Sequence, residues 1–258
     1  SLMKMTRKDF LRTSAVAGTA LFTGMPLFTG AAGASAASVA RPRQGRMTLI
    51  KGASILSMDP ELGDIIGGDV LIDGTKIIKV GHNIEAPGAE LIDATDMILM
   101  PGMCDGHRHL WESMAVNRPD LTLVTWHLMW AVGMKPEAVY DYCYLGGKMA
   151  INSGVTRVID YCHVTHTPAK MEAAAHGAVD SGIGGVNCPQ LSGTVPFGPG
   201  DTVNFKTAWN TMRGPADDWH FEMAEKLRDE LFSDSEAPLQ FGVAHSAAEG
   251  GASRKSIH

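Results

Sequence analysis

The stretch Pro101-Gly102-Met103-Cys104-Asp105-Gly106-His107-Arg108-His109-Leu110 constrains this chain more than any other. It follows the apolar run Met97-Ile98-Leu99-Met100, which is short enough to be one buried strand. Pro101 and Gly102 cannot continue a regular central ladder, so the backbone is expected to bend there. His107 and His109 then fall at i and i+2. In an extended segment such residues share a face, so both imidazoles can converge on one ion. Neutral imidazole is a preferred ligand of zinc and of related first-row metals. Taken alone, the spacing also fits two surface histidines in a turn.

The 258 residues are 45% hydrophobic and 19% charged, which is globular material long enough for a sizeable core. Three parts are expected: an export leader at 1–37, a β-rich portion at 38–96 and an alternating portion at 97–258. In the leader, Lys4, Arg7, Lys8 and Arg12 precede a modestly apolar run and the small-x-small signal Ala34-Ser35-Ala36. The run carries Gly18, Gly24 and Pro26 and is too short to span a bilayer comfortably, so a removable signal is expected, not an anchor. Thr6-Arg7-Lys8-Asp9-Phe10-Leu11-Arg12 is similar to the twin-arginine export motif, with Lys8 at the second arginine; an ordinary secretory signal is the alternative. The expected destination is the periplasm or the medium.

The formal net charge is −6, and removing the leader's +3 leaves −9. An acidic chain without a basic stripe argues against a nucleic-acid partner, because phosphate binding needs clustered Lys and Arg. Cys104, Cys143, Cys162 and Cys188 form no Cys-x-x-Cys pair, which excludes zinc-ribbon and thioredoxin patterns. All four are expected to be small buried hydrophobes.

Residues 48–50 and 53–58 read as two strands, and 70–72 turns through Asp73-Gly74 into 76–80 as a hairpin. After His107, helix and strand alternate, which points to βα units and a parallel sheet. Helices are expected at 136–152 and, capped by Thr167 and opened by Pro168, up to Ser181-Gly182. Strands are expected at 155–161, 183–188 and 239–244, the last ending at His245. Residues 191–216 read as loop. Trp219, Met223, Leu227 and Leu231 mark a helix face, as do Trp126, Trp130 and Met134.

The sequence around the two histidines resembles the first-strand signature of the amidohydrolase superfamily, Pro-Gly-hydrophobic-x-Asp-x-His-x-His. Residues 68–81 are similar to the hairpin that precedes that signature. Asn152-Ser153-Gly154-Val155-Thr156-Arg157-Val158-Ile159-Asp160 resembles the second-strand pattern, and Thr167-Pro168 and Asp180-Ser181-Gly182-Ile183 continue it. The branch most resembled deaminates or dechlorinates nitrogen heterocycles, as cytosine deaminases and triazine hydrolases do.

The resemblance implies an α/β fold: a partial (β/α)₈ TIM-type barrel of about four βα units, preceded by strands of a small β-sandwich. Since a closed barrel has eight strands, it implies the N-terminal half of a longer enzyme. It also implies one divalent metal ion, zinc in first place and iron as the alternative. His107 and His109 are the ligands that carry over; a fifth-strand histidine and an eighth-strand aspartate have no counterpart here. Such an ion lowers the pKa of water toward about 7 for attack on a ring carbon. The expected partner is a small cyclic substrate, with a homo-oligomer allowed. A half-barrel without activity of its own is the alternative.

His245 is expected to contact substrate at the end of a fourth strand; a strand missed in 191–216 would make it a metal ligand instead. His163 and His166 fall just past the second strand, on the face where barrel enzymes keep their sites, so His163 lines a pocket or hydrogen-bonds within the loop. Trp111 either stacks on a planar heterocycle or packs in the core. His82, His127, His176 and His220 read as surface residues.

Overall fold

A computed structural model describes residues 47–115, 130–212 and 214–245. The leader 1–37, Trp126, His127 and the tail 247–258 lie outside the described residues.

Gly52 and Gly74 shape the first sheet. Gly74, at φ 58, closes the expected hairpin between β2 (Asp64–Asp73) and β3 (Lys76–Gly81) with Asp73 opposite Lys76. Gly52, at φ 83, lets one strand, β1 (Met47–Leu56), run through where the sequence reads as two. The irregularity there appears as a register shift between Ile50 and Ala53 against β2. β4 (Glu90–Asp93) and β5 (Ile98–Leu99) pair with β1 in parallel. A core of Ala53, Ile55, Val70 and Ala94 gathers beneath.

The run 97–100 therefore does not form a buried barrel strand. Its two paired residues belong to the first sheet, and Ile98 is 70% exposed. Hydrophobicity marks a strand without naming the sheet it joins. The bend at Pro101-Gly102 instead starts the second sheet. A Cβ on Gly102 would collide with the side chain of Thr156, so the close approach of the two strands there requires glycine.

The second sheet is all parallel, in the order β6 (Met103–Arg108), β7 (Val155–Cys162), β8 (Gly184–Pro189), β9 (Leu239–Phe241). Consecutive strands in parallel order need crossovers, and helices supply them. α1 (Pro136–Asn152) opens on proline, and α2 (Pro168–Ser181) is capped as expected: Thr167 Oγ1 accepts from the Lys170 N–H, and Gly182 ends it at φ 78. α3 (Phe205–Met212) lies inside the stretch read as loop, and α4 (Asp218–Glu230) carries the Trp219–Leu231 face. Trp130 and Met134 pack inward as expected. The core holds Val139, Cys143, Met171, Ala174, Val158, Ile183, Leu227 and Leu239.

Four parallel strands with helices are half of what a closed barrel uses. Among the described residues β6 and β9 each leave one edge unpaired, and Met103, Ile159 and Val243 are exposed. The same residues contain no helix long and apolar enough to cross a membrane.

The burial expected of His220 and of the four cysteines needs correcting, and Lys170 adds a buried cation that the sequence did not suggest. His220 is 1% exposed: it stacks on Trp219, and its Nε2 lies 3.2 Å from the Thr165 carbonyl oxygen. Burial holds its pKa below the usual histidine value. Cys104 is exposed and Cys188 half-buried, while Cys143 and Cys162 are buried. Lys170 is a buried cation whose Nζ donates to the carbonyls of Ala131 and Val132 at 2.9 and 2.8 Å.

Candidate metal centre

The site begins with an irregularity in β6. Asp105 lies opposite Val158, but Arg108 lies opposite Asp160, so β6 spends three steps where β7 spends two. The extra residue is a bulge, which re-aims the side chains around it. His107 and His109 thereby meet edge to face with ring centroids 4.8 Å apart. Two imidazoles on one tetrahedral zinc, at Zn–N distances of about 2.0–2.1 Å, have centroids about 5 Å apart, so the pair fits a shared ion.

Hydrogen bonds fix the second ring. His109 Nδ1 lies 2.7 Å from the carbonyl oxygen of Tyr161. A carbonyl only accepts, so Nδ1 carries the proton and Nε2 keeps its lone pair. The next residue is tied down as well. The Leu110 N–H donates to Asp160 Oδ1 at 3.0 Å, and Asn187 Nδ2 donates to Asp160 Oδ2 at 2.8 Å. One carboxyl thus joins the ends of three adjacent strands. Asp160 is fully buried, and burial pushes it up to about 6 against the opposing effect of those hydrogen bonds.

A single 3₁₀ segment, Leu110–Ala115, then turns the chain back over the strand ends. It buries Trp111 completely and returns Glu112 toward His109 and His163. His109, Glu112 and His163 each bring a potential ligand atom, all within 4.8 Å of one another. Burial pushes Glu112 up to about 7, with the nearby His107 pulling the other way. His163, 6% exposed, follows directly on β7; its ring lies 4.3 Å from that of His109, and its Nδ1 accepts from the Trp111 indole N–H at 2.9 Å. Beside His163 opens a polar pocket lined by Thr165, His166, Gln190, Ser192 and Thr194.

The structure therefore brings together His107, His109 and His163. Trp111 has no exposed surface and presents its N–H to His163, not a ring face to a ligand. His245 is half-buried just past β9, where Ala244 bridges to Gln190. No strand occurs among the described residues of 191–216, so the count leaves His245 at the end of the fourth strand. Sequence reasoning missed Glu112 and Asp160. The spacing His109-x-x-Glu112 was a usable signal, because one turn of helix returns such a residue to the same side.

Residues 98–238, more than half of the chain, match the amidohydrolase family. A 5'-deoxyadenosine deaminase of Methanosarcina acetivorans is 33% identical over 146 residues, covering 51% of this chain and 33% of the relative. A triazine hydrolase variant superposes with a TM-score of 0.57 at 20% identity, over 78% of this chain and 46% of that one. An atrazine chlorohydrolase from Arthrobacter aurescens, complexed with zinc, gives 0.53 at 17% identity over 77% and 46%. This chain spans about a third of the curated relative and under half of the solved structures, whose likeness establishes a shared barrel fold in partial form. The sequence match, the parallel βα sheet and the two convergent histidines agree: the chain belongs to the amidohydrolase family.

Proposed function

We propose that this chain carries the first-strand part of a hydrolase site in which His107 and His109 hold one divalent ion, zinc in first place and iron as the alternative. The carrying observation is the 4.8 Å meeting of the two rings, with His109 Nδ1 held 2.7 Å from the Tyr161 carbonyl oxygen. The ion, when bound, supplies Lewis acidity that brings the pKa of water toward about 7. The chain's own residues do the positioning. Tyr161 holds His109 through its carbonyl, Asp160 anchors Leu110, and Glu112 places a carboxylate beside the pair.

The reaction class is hydrolysis of a C–N or related bond in a cyclic, nitrogen-containing substrate. The support is likeness to relatives described as a deoxyadenosine deaminase and an atrazine chlorohydrolase. His163, with the polar pocket beside it, is assigned to the substrate side, and His245 to the same rim. Export to the periplasm or the medium is proposed from the leader at 1–37.

The 258-residue chain, loaded with zinc, is to be assayed against amino-substituted pyrimidines and triazines. Turnover that disappears in His107→Ala carries the hydrolase reading. The unpaired edges of β6 and β9 favour a second reading, a half-barrel without activity of its own. Zinc binding without turnover would select it.

A further inference from the structure

His163 sits within ligand distance of His109 and Glu112, and geometry alone would count it as a third metal ligand. Its hydrogen bond says otherwise. An indole N–H can only donate, so Nδ1 of His163, 2.9 Å from Trp111 Nε1, must be the unprotonated nitrogen. A neutral imidazole in that state carries its proton on Nε2, the atom 4.0 Å from Glu112 Oε1. Binding an ion there would require either an imidazolate or the loss of the Trp111 bond, which strands a buried N–H. His109 is in the opposite state, with its proton on Nδ1 against Tyr161.

Two rings 4.3 Å apart thus present one lone pair and one N–H to the same space. We propose that His163 is a hydrogen-bond donor to substrate, not a metal ligand, and that Trp111 is the positioning residue that fixes its tautomer. The substrate atom it takes is an acceptor, a ring nitrogen or carbonyl oxygen of a planar heterocycle.

The small pocket that His163 also lines, with room for a water-sized group, sets the polarity that the edge of such a molecule would meet. Gln190 Nε2 donates to Ser192 Oγ at 3.0 Å, Thr165 Oγ1 donates to the Gln190 carbonyl at 2.8 Å, and Thr194, tied to Asp217, completes the lining. A wall of amide and hydroxyl groups suits a polar ring substituent more than an alkyl one. The substrate part of this inference rests on the proposed hydrolase site; the tautomer part does not.

The test reads the tautomer directly. Long-range ¹H–¹⁵N correlation spectra of the metal-free 258-residue chain, at a pH where imidazoles are neutral, should show a pyrrole-type Nε2 and a pyridine-type Nδ1 for His163. Trp111→Phe should convert this single tautomer into a mixture. Zinc should shift the nitrogens of His109 and leave Nε2 of His163 protonated. In His163→Gln the zinc affinity should stay within about threefold, whereas His109→Ala should weaken it more than about 100-fold. A proton on Nδ1 of His163 in the wild-type chain, or loss of the Nε2 proton on adding zinc, overturns the proposal. Because the first spectrum needs no metal and no variant, failure of zinc binding would count against the hydrolase site and leave the tautomer result standing.

Discussion

The imidazole of His109 and the main-chain carbonyl of Tyr161, 52 residues apart in sequence, meet at 2.7 Å. This contact ties the strand-end motif to the neighbouring strand and sets which nitrogen faces the site. The bond runs through the carbonyl of Tyr161, while its ring packs beside those of His107, His109 and His163 at 5.6–5.8 Å, contacts that a phenylalanine ring keeps. Tyr161→Phe should therefore leave zinc affinity within about threefold, measured by calorimetric titration. A loss of tenfold or more would mean that the phenol holds the site.

Asp160 makes stability depend on pH. Its carboxyl is raised from 3.8 to about 6 in the folded chain, so the folded state holds this proton more tightly than the unfolded state. The folded state is favoured below the unfolded value, and that advantage is lost as pH rises from about 4 through about 6. The full change is about 3 kcal/mol for a shift of this size. In urea unfolding, the stability of the wild type relative to Asp160→Asn should fall between pH 4.5 and pH 7. An equal difference at both pH values would contradict the assignment.

Gly177 lies where α2 crosses α1. A Cβ there would meet the Tyr140 carbonyl oxygen and the Cys143 side chain, the former well inside contact distance. Alanine improves helix propensity, yet here it should destabilise by about 1–3 kcal/mol, because the two helices must part. Thermal unfolding of Gly177→Ala measures it, and an unchanged or raised midpoint would show that the helices separate without penalty.

Much of the fold was legible because its signals are local. Thr167 and Gly182 bracket α2, Asp73-Gly74 turns a hairpin, and the helix–strand rhythm after residue 135 reports a parallel sheet. The convergence of His107 and His109 was legible from their spacing. What could not be read depends on tertiary placement. The run 97–100 has a strand's composition, but its pairing with β1 is decided by a partner some forty residues earlier. His220 looks like a polar residue on a helix; the carbonyl of Thr165 makes its burial tolerable. Asp160 reads as a strand residue like its neighbours, and its role appears only when Leu110 and Asn187 arrive beside it. Glu112 needed the 3₁₀ turn to be seen.

The leader gives a separate expectation. Exported protein should begin near Ser38, as N-terminal sequencing of material from outside the cytoplasm would show. Exported material that still began at Met3 would remove the signal assignment.

The central claim is that His107 and His109 together hold the metal ion. Calorimetric titration of the 258-residue chain with zinc tests it most directly. One equivalent should bind, with affinity weakened more than about 100-fold in either His107→Ala or His109→Ala, since each removes a metal ligand. Retention of one tightly bound zinc in the double variant would contradict the account.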